Sequence, residues 1–365
     1  ALNYATAERL LQDGSRVIGV LARDGLSHRT WDVGARFTIN ATGPWLGAAN
    51  SGLPHPHLER RITAFSKGVH LVTRPLLADA AVAVATHHRS QASIQRGGRH
   101  FFIIPWRGQS LIGTTNVPFD GDIEAVGATP SDVRTFLDDI NAALPGAGLS
   151  EDAVRYAFAG LYPLTETDIR PDVYQGTGHY QLVDHAPSGL AGYATALGAK
   201  YTTARLLAER AVDLALRGMG RPHIPSTTRA EPLSGRRVHD ARAERSKAVA
   251  SHRDLIDATV ADHLYSQYGD DMAAVVTLGQ NTPNGLALLA DARHDIEATV
   301  RFAVRHEMAV TLPDVIFRRT GLGTIGHPGL GCLERCAQIM AEELGWPADR
   351  AASEVERTAN AFSCA

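Results

Sequence analysis

Residues Phe37-Thr38-Ile39-Asn40-Ala41-Thr42-Gly43-Pro44-Trp45 read as a buried strand that runs into a glycine turn. This pattern suits the strand that closes a dinucleotide site, where small residues let the backbone approach a cofactor. Such a fold opens with a strand, Gly-x-Gly-x-x-Gly and a helix whose N-terminus holds the pyrophosphate. No opening of that kind precedes Ala41-Thr42-Gly43 in this chain. The expectation is the later part of a larger cofactor domain.

One complete Gly-x-Gly-x-x-Gly does occur, at Gly321-Leu322-Gly323-Thr324-Ile325-Gly326. It follows the basic segment Phe317-Arg318-Arg319-Thr320, and His327-Pro328-Gly329 comes next. The fingerprint aims amides at phosphate only between a strand and a helix, so a loop between helices is expected here.

The 365 residues suffice for about two domains. The first part alternates strands and turns: Arg16–Ala22, Arg36–Asn40, Gly68–Thr73, Val82–Ala85, His100–Pro105 and Ser110–Thr115 read as strands. Trp106-Arg107-Gly108-Gln109 reads as a hairpin turn. Thr129-Pro130-Ser131-Asp132 opens a helix towards Ala143, and Thr202–Leu216 has helical apolar spacing. Residues 219–237 are polar and rich in Pro and Arg, and form a linker. Beyond it Leu255–Tyr268, Asp271–Leu278, Ile296–Met308, Pro313–Arg319 and Leu333–Leu344 are candidate helices, with Pro313 as the first residue of its helix. The fold class is α+β over residues 1–218 and all-α over 238–365.

The net charge of −3 and the lack of a basic block interleaved with aromatics argue against nucleic acid as a partner. No apolar run reaches the ~18 residues of a membrane helix. Cys332, Cys336 and Cys364 are too sparse for a disulfide framework and fit a reducing compartment. Cys332 and Cys336 would share a helix face, and they read as buried structural cysteines with no metal site.

Two segments carry candidate chemistry. Ala194-Thr195-Ala196-Leu197-Gly198-Ala199-Lys200-Tyr201-Thr202-Thr203 leads small residues into a helix start. Its free amides, its positive dipole end and Lys200 could face the electron-rich edge of a reduced flavin. An ordinary capped helix with a surface lysine reads equally well. In Ser66-Lys67-Gly68-Val69-His70, His70 could take an alcohol proton, or it could be a structural histidine of a strand.

Taken in order, several short motifs resemble the FAD-dependent glycerol-3-phosphate dehydrogenases. They are Asn40-Ala41-Thr42-Gly43-Pro44-Trp45, Ser66-Lys67-Gly68-Val69-His70, Ile104-Pro105-Trp106, Leu111-Ile112-Gly113-Thr114-Thr115 with Asp120-Gly121-Asp122, and Ala159-Gly160-Leu161-Tyr162-Pro163-Leu164. Lys200-Tyr201-Thr202-Thr203-Ala204-Arg205, Ala303-Val304-Arg305-His306-Glu307-Met308-Ala309 and Arg318-Arg319-Thr320-Gly321-Leu322-Gly323 complete the set.

The resemblance implies a partial FAD-binding domain of the glutathione-reductase-like kind, a substrate-cap β-sheet and an all-α C-terminal domain. It implies oxidation of glycerol 3-phosphate, a phosphorylated polyol, to dihydroxyacetone phosphate. Hydride would pass to flavin N5 and electrons onward to quinone. A cytoplasmic location, with peripheral contact at the inner face of the cytoplasmic membrane, goes with that acceptor. Ala41, Thr42 and Gly43, with Gly198, Ala199, Lys200, Tyr201 and Thr202, would lie against FAD. His70 and Lys200 would be the catalytic pair near the substrate.

The chain departs from the family at informative places. Tyr162 stands where the family has a substrate-contacting arginine, and Val183, in Leu182-Val183-Asp184-His185, stands where it has another. Neither can give the bidentate, charge-assisted contact an arginine makes with a phosphate dianion. Tyr162 and Arg170 are then the expected substrate contacts, with Arg170 in a compensating role. Asn116, Ala199 and Ala204 replace the usual Asp, Gly and Tyr. Two alternatives follow: oxidation of a different hydroxy or amino substrate, or a catalytically inactive, truncated remnant.

Overall fold

The computed structural model describes residues 1–47, 64–85, 100–164, 180–198, 200–233, 240–289 and 294–362. The chain starts with an antiparallel three-stranded sheet of β1 (Ala5–Asp13), β2 (Arg16–Asp24) and β3 (Thr30–Gly34). Strand β4 (Thr38–Asn40) leaves that sheet for another. It begins two residues later than the run from Arg36 suggested.

The largest sheet holds β5 (Ala64–Thr73), β6 (Val82–Ala85), β7 (His100–Trp106), β8 (Gln109–Gly113), β9 (Val117–Phe119) and β10 (Val154–Leu164). Its order is β10-β5-β8-β7-β6, with β9 also on β5. All its pairings are antiparallel. Helix α1 (Pro130–Ala143) covers one face. A capping box between Thr129 and Asp132 starts the helix. Val133, Phe136, Leu137 and Ile140, spaced as one helical face, pack on Val69, Leu71, Phe101, Ile103 and Ile112. Phe101 meets Phe136 edge-on at 5.7 Å between ring centres.

Strands β11 (Gln181–Asp184) and β12 (Tyr193–Leu197) flank each other, and β4 joins β12 in parallel. Strand β12 is buried along its whole length, as a continuous small and apolar run covered on both faces should be. Helix α2 (Tyr201–Gly218) follows. A Cβ at Gly218 would lie 2.5 Å from the Phe37 ring, so the end of α2 sits directly on that side chain.

From Ala241 onward the described residues form helices: α3 (Ala241–His252), α4 (Ala258–Tyr268), α5 (Met272–Gln280), α6 (Glu297–Glu307), α7 (Leu330–Leu344) and α8 (Ala348–Asn360). Cys332 and Cys336 are both buried in the core that α6, α7 and the 309–322 segment share. Two buried charged groups in this region are held by ion pairs: Arg335 grips Glu297 with two bonds of 2.7 Å. Arg301 holds Glu342 and Glu343 at 2.7 Å each.

The helix expected over Pro313–Arg319 is present in the wide π form at Asp314–Arg319, with Pro313 in helical conformation just before it, and the Asp314 carboxylate accepts from the amides of Val310 (3.0 Å) and Thr311 (3.1 Å). Helix α3 was not anticipated, since none of its residues is buried and it carries no apolar stripe.

Asp314 also ties the first sheet to the helical part. The Tyr4 hydroxyl donates to it at 2.9 Å, and Asn3 Nδ2 donates to the Met308 carbonyl at 2.7 Å. Burial by itself raises the Asp314 carboxyl, but bonds from the Val310 amide, the Tyr4 hydroxyl and Thr311 outweigh it and hold the group below the usual carboxylate range. Its stabilisation is therefore present above the unfolded-state carboxylate pKa and is lost as pH falls through the lower folded value. Asp314→Asn should cost about 1–3 kcal/mol at neutral pH, and the deficit should shrink in acid. Urea unfolding of both proteins across about pH 3 to 7 checks this; a deficit independent of pH would refute it.

Candidate functional site

Side chains alternate across a strand, so the sheet packed on α1 has an opposite face. On β10 that face carries Phe158, Gly160 and Tyr162. Their register partners on β5 are His70, Gly68 and Ser66. Two glycines thus lie side by side between His70 and Tyr162, with open space over Gly160 and the Thr114 side chain over Gly68. The gap spans four residues along the strand, on the order of 13 Å. A Cβ at Gly68 would come within 2.5 Å of Thr114 Oγ1, so the β8–β9 connection closes the gap on that side.

The His70 ring stacks flat on Phe158, with 5.1 Å between centres and 4° between planes. Its other edge lies against Gly113, where a Cβ would fall 2.0 Å from His70 Cδ2. Among the described residues no hydrogen bond to either ring nitrogen is found. Burial holds the imidazole below the usual histidine range, so it is neutral near pH 7 and can accept a proton. Next to it, Thr115 Oγ1 accepts from the Val69 amide at 2.9 Å. Tyr162 donates its hydroxyl to Asn116 Oδ1, which ties β10 to the β8–β9 connection. Lys67, in the same motif as His70, is held by Asp132 at 2.6 Å at the start of α1.

The second half of the site lies at the carboxyl ends of two parallel strands. Thr195 on β12 is opposite Asn40 on β4, so Ala41-Thr42-Gly43 and Gly198 leave the sheet side by side. This is where open α/β sheets hold their ligands. Asn40 anchors the turn: its Oδ1 accepts from the Thr42 amide (3.1 Å) and hydroxyl (2.7 Å), and its Nδ2 donates to the Tyr193 hydroxyl (3.0 Å). Gly43 has φ of +59°, a conformation that favours glycine.

Helix α2 begins beside this turn, with Lys200 before it and no side chain capping its first amides. Tyr201 is fully exposed and Thr202 is exposed. Exposed small residues on one side and uncapped helix amides on the other fit the flavin end of FAD, which needs close backbone approach and a positive end for its electron-rich edge. Ala199 and Arg170 lie outside the described residues.

Two contributors escaped the sequence reading. Phe158 was not singled out and Gly160 appeared only inside the Ala159–Leu164 motif; their pairing with His70 and Gly68 depends on register, which a single strand does not carry.

Comparison with known proteins agrees with this geometry. The family described as FAD dependent oxidoreductase matches residues 1–208, and the C-terminal domain of alpha-glycerophosphate oxidase matches residues 226–351. A glycerol-3-phosphate dehydrogenase of Synechocystis sp. is 28% identical over 98% of the chain, and one of Mycobacterium leprae is 30% identical over 95%. The chain spans 64% and 56% of the length of those two relatives. The crystal structure of the glycerol-3-phosphate dehydrogenase from Bacillus halodurans complexed with FAD superposes with a TM-score of 0.79 at 28% identity. The match covers 100% of this chain and 69% of that one.

The geometry around His70 makes two connected predictions. Gly113→Ala should push the imidazole off Phe158 and destabilise the protein by about 1–3 kcal/mol through overpacking. Phe158→Ala should expose the ring and raise its titration towards the ordinary histidine value. Thermal unfolding and the NMR titration of the His70 ring protons read both, and unchanged shifts in the two variants would contradict the packing described.

Proposed function

Because the chain belongs to the FAD-dependent glycerol-3-phosphate dehydrogenase family, we propose that it forms the flavin-ring, substrate-cap and C-terminal part of an enzyme that oxidises glycerol 3-phosphate to dihydroxyacetone phosphate. The observation that carries this reading is the neutral His70 ring, held between Phe158 and Gly113 beside the Gly68–Gly160 pair. His70 takes the proton of the substrate's secondary hydroxyl. Phe158 and Gly113 fix the ring so that no reorientation is needed. Gly160 leaves open space for the carbon chain, and Thr114 walls that space over Gly68. Ala41, Thr42 and Gly43 on one side, and Gly198 to Thr202 on the other, would hold the cofactor. When bound, FAD supplies the hydride acceptor at N5. Lys200 places a cation at the same end of α2, near the substrate and the flavin edge.

Residues 1–218 would act as the partial FAD-binding and cap domain, 219–237 as a linker and 238–365 as the helical domain. Quinone would be the electron acceptor, met at the inner face of the cytoplasmic membrane by peripheral contact. Among the described residues no helix is long and apolar enough to cross a membrane. The test uses the full-length protein loaded with FAD. Anaerobic addition of glycerol 3-phosphate should bleach the flavin absorbance, and His70→Gln should slow the bleaching by about 10²–10⁴-fold. A flavin that stays oxidised on substrate addition would defeat the proposal.

A second reading has its own support. The Tyr162–Asn116 pair is neutral, where a phosphate dianion would be met best by a guanidinium. A different hydroxy or amino substrate would suit it. Tyr162→Arg in the full-length enzyme discriminates. Under this reading it lowers KM for glycerol 3-phosphate by about ten- to a hundredfold, matching one new charged hydrogen bond. An unchanged KM, together with efficient turnover by the wild type, removes it.

A further inference from the structure

Register places Phe158 opposite His70, but register alone does not fix the angle of its ring. Phe158 remains 39% exposed, so burial does not fix it either. Its next neighbour on the same face of β10, towards Tyr162, is Gly160, with open space where a side chain would be. Phe158 also lines a cavity of about 270 Å³, together with Trp106, Leu111, Tyr156, Phe317 and Thr324. A cavity offers the ring no contact on that side and leaves it room to turn. Yet the ring lies flat on the imidazole, with 4° between planes. Something beyond the sheet register holds it there.

Tyr156 is the neighbour on the other side. It lies two residues before Phe158 on the same face of β10, with 6.0 Å between ring centres and 29° between planes. Tyr156 is set in turn against two rings of the helical part. Phe317, in the π segment, is at 6.2 Å and 20°, and Phe362, just after α8, is at 5.7 Å and 55°. Those two rings meet at 4.9 Å, and both pack on the core of the helical part. His327 lies against Phe362 at 4.9 Å from the outside. All these separations fall within the range of favourable aromatic pairs. A continuous run of rings therefore leads from His70 through Phe158 and Tyr156 into the helical part. Among the described residues the Tyr156 hydroxyl makes no hydrogen bond, so its ring is what makes the contact.

We infer that Tyr156 is a positioning residue for His70: held by Phe317 and Phe362 of the helical part, it keeps Phe158 flat on the imidazole. Without the Tyr156 ring the cavity widens and Phe158 turns into it. The imidazole then loses its stack and becomes hydrated. The helical part thus acts on the base through three rings. The consequence for rate rests on the reading of His70 as the base, whereas the geometry is tested without turnover.

NMR titration of the His70 ring protons in the full chain tests the geometry. The Tyr156 phenol, pushed up by burial, stays neutral where His70 titrates. Tyr156→Leu keeps apolar bulk but loses the flat ring, and the His70 titration should rise towards the ordinary histidine value. Tyr156→Phe should titrate as the wild type does. Phe362→Ala, far from His70 in the chain, should shift the titration in the same direction by less. In the full-length protein loaded with FAD, Tyr156→Leu should slow the limiting rate of flavin bleaching by about ten- to a hundredfold, and Tyr156→Phe should restore it. The inference is overturned if His70 in Tyr156→Leu titrates as in the wild type, if Tyr156→Phe shifts it as far as Tyr156→Leu does, or if the bleaching rate stays unchanged beside a shifted titration. A shifted titration together with a wild-type flavin that glycerol 3-phosphate does not reduce supports the positioning and defeats only the oxidation proposed above.

Discussion

Strand β5 is hydrogen-bonded to β10 along one edge and to β8 and β9 along the other. Its period of two assigns each residue to one of two incompatible tasks. Val69 and Leu71 face α1 and form a core with Phe101, Phe136 and Ile140. Gly68 and His70 face the other way. A slip of one residue would bury an imidazole against α1 and put leucine on the face that now carries His70. The core therefore fixes the register of the chemistry: packing free energy from one face holds His70 opposite Phe158 and Gly113 on the other. The site needs no hydrogen-bonded scaffold of its own around His70, because the sheet supplies the alignment.

The same economy explains the glycines. At Gly113 a Cβ would occupy the place of the imidazole, and at Gly68 it would meet Thr114. At Gly321 it would occupy the place of the Arg107 guanidinium. None of these three needs a positive φ; each is a glycine because another residue uses the space. The Gly321–Gly326 run is thus a contact surface for the hairpin tip, which is why its resemblance to a phosphate loop lacks the strand and helix that such a loop requires.

The sequence disclosed what depends on local pattern. The Thr129-Pro130-Ser131-Asp132 start of α1, the hairpin at Trp106–Gln109, and the small-residue approach to α2 are all written in neighbouring residues. So were the motifs that place the chain in its family. What stayed hidden depends on long-range pairing. Phe158 became part of the site only through a partner 88 positions earlier on β5, since 158 − 70 = 88. Helix α3 has no buried residue, so no periodic signal announced it. Tyr4 gave no hint that it would reach Asp314 at the far end of the chain.

The link between Tyr162 and Asn116 bears on how substrate recognition can change. A guanidinium at position 162 would bring a positive charge to a half-buried place beside Asn116, and a carboxylate at 116 would be its natural counter-charge. Replacing only one of two such charges leaves the other desolvated without a partner, which costs far more than losing both. This chain has a neutral group at each position, joined by a hydrogen bond. The two side chains therefore act as one electrostatic unit. The electrostatics of the pair remain balanced, while the capacity for a charge-assisted grip on a dianion at Tyr162 is gone. Recognition of a phosphorylated substrate would then have to draw on other cations, and Lys200, at the start of α2, is the described one that the family resemblance puts nearest.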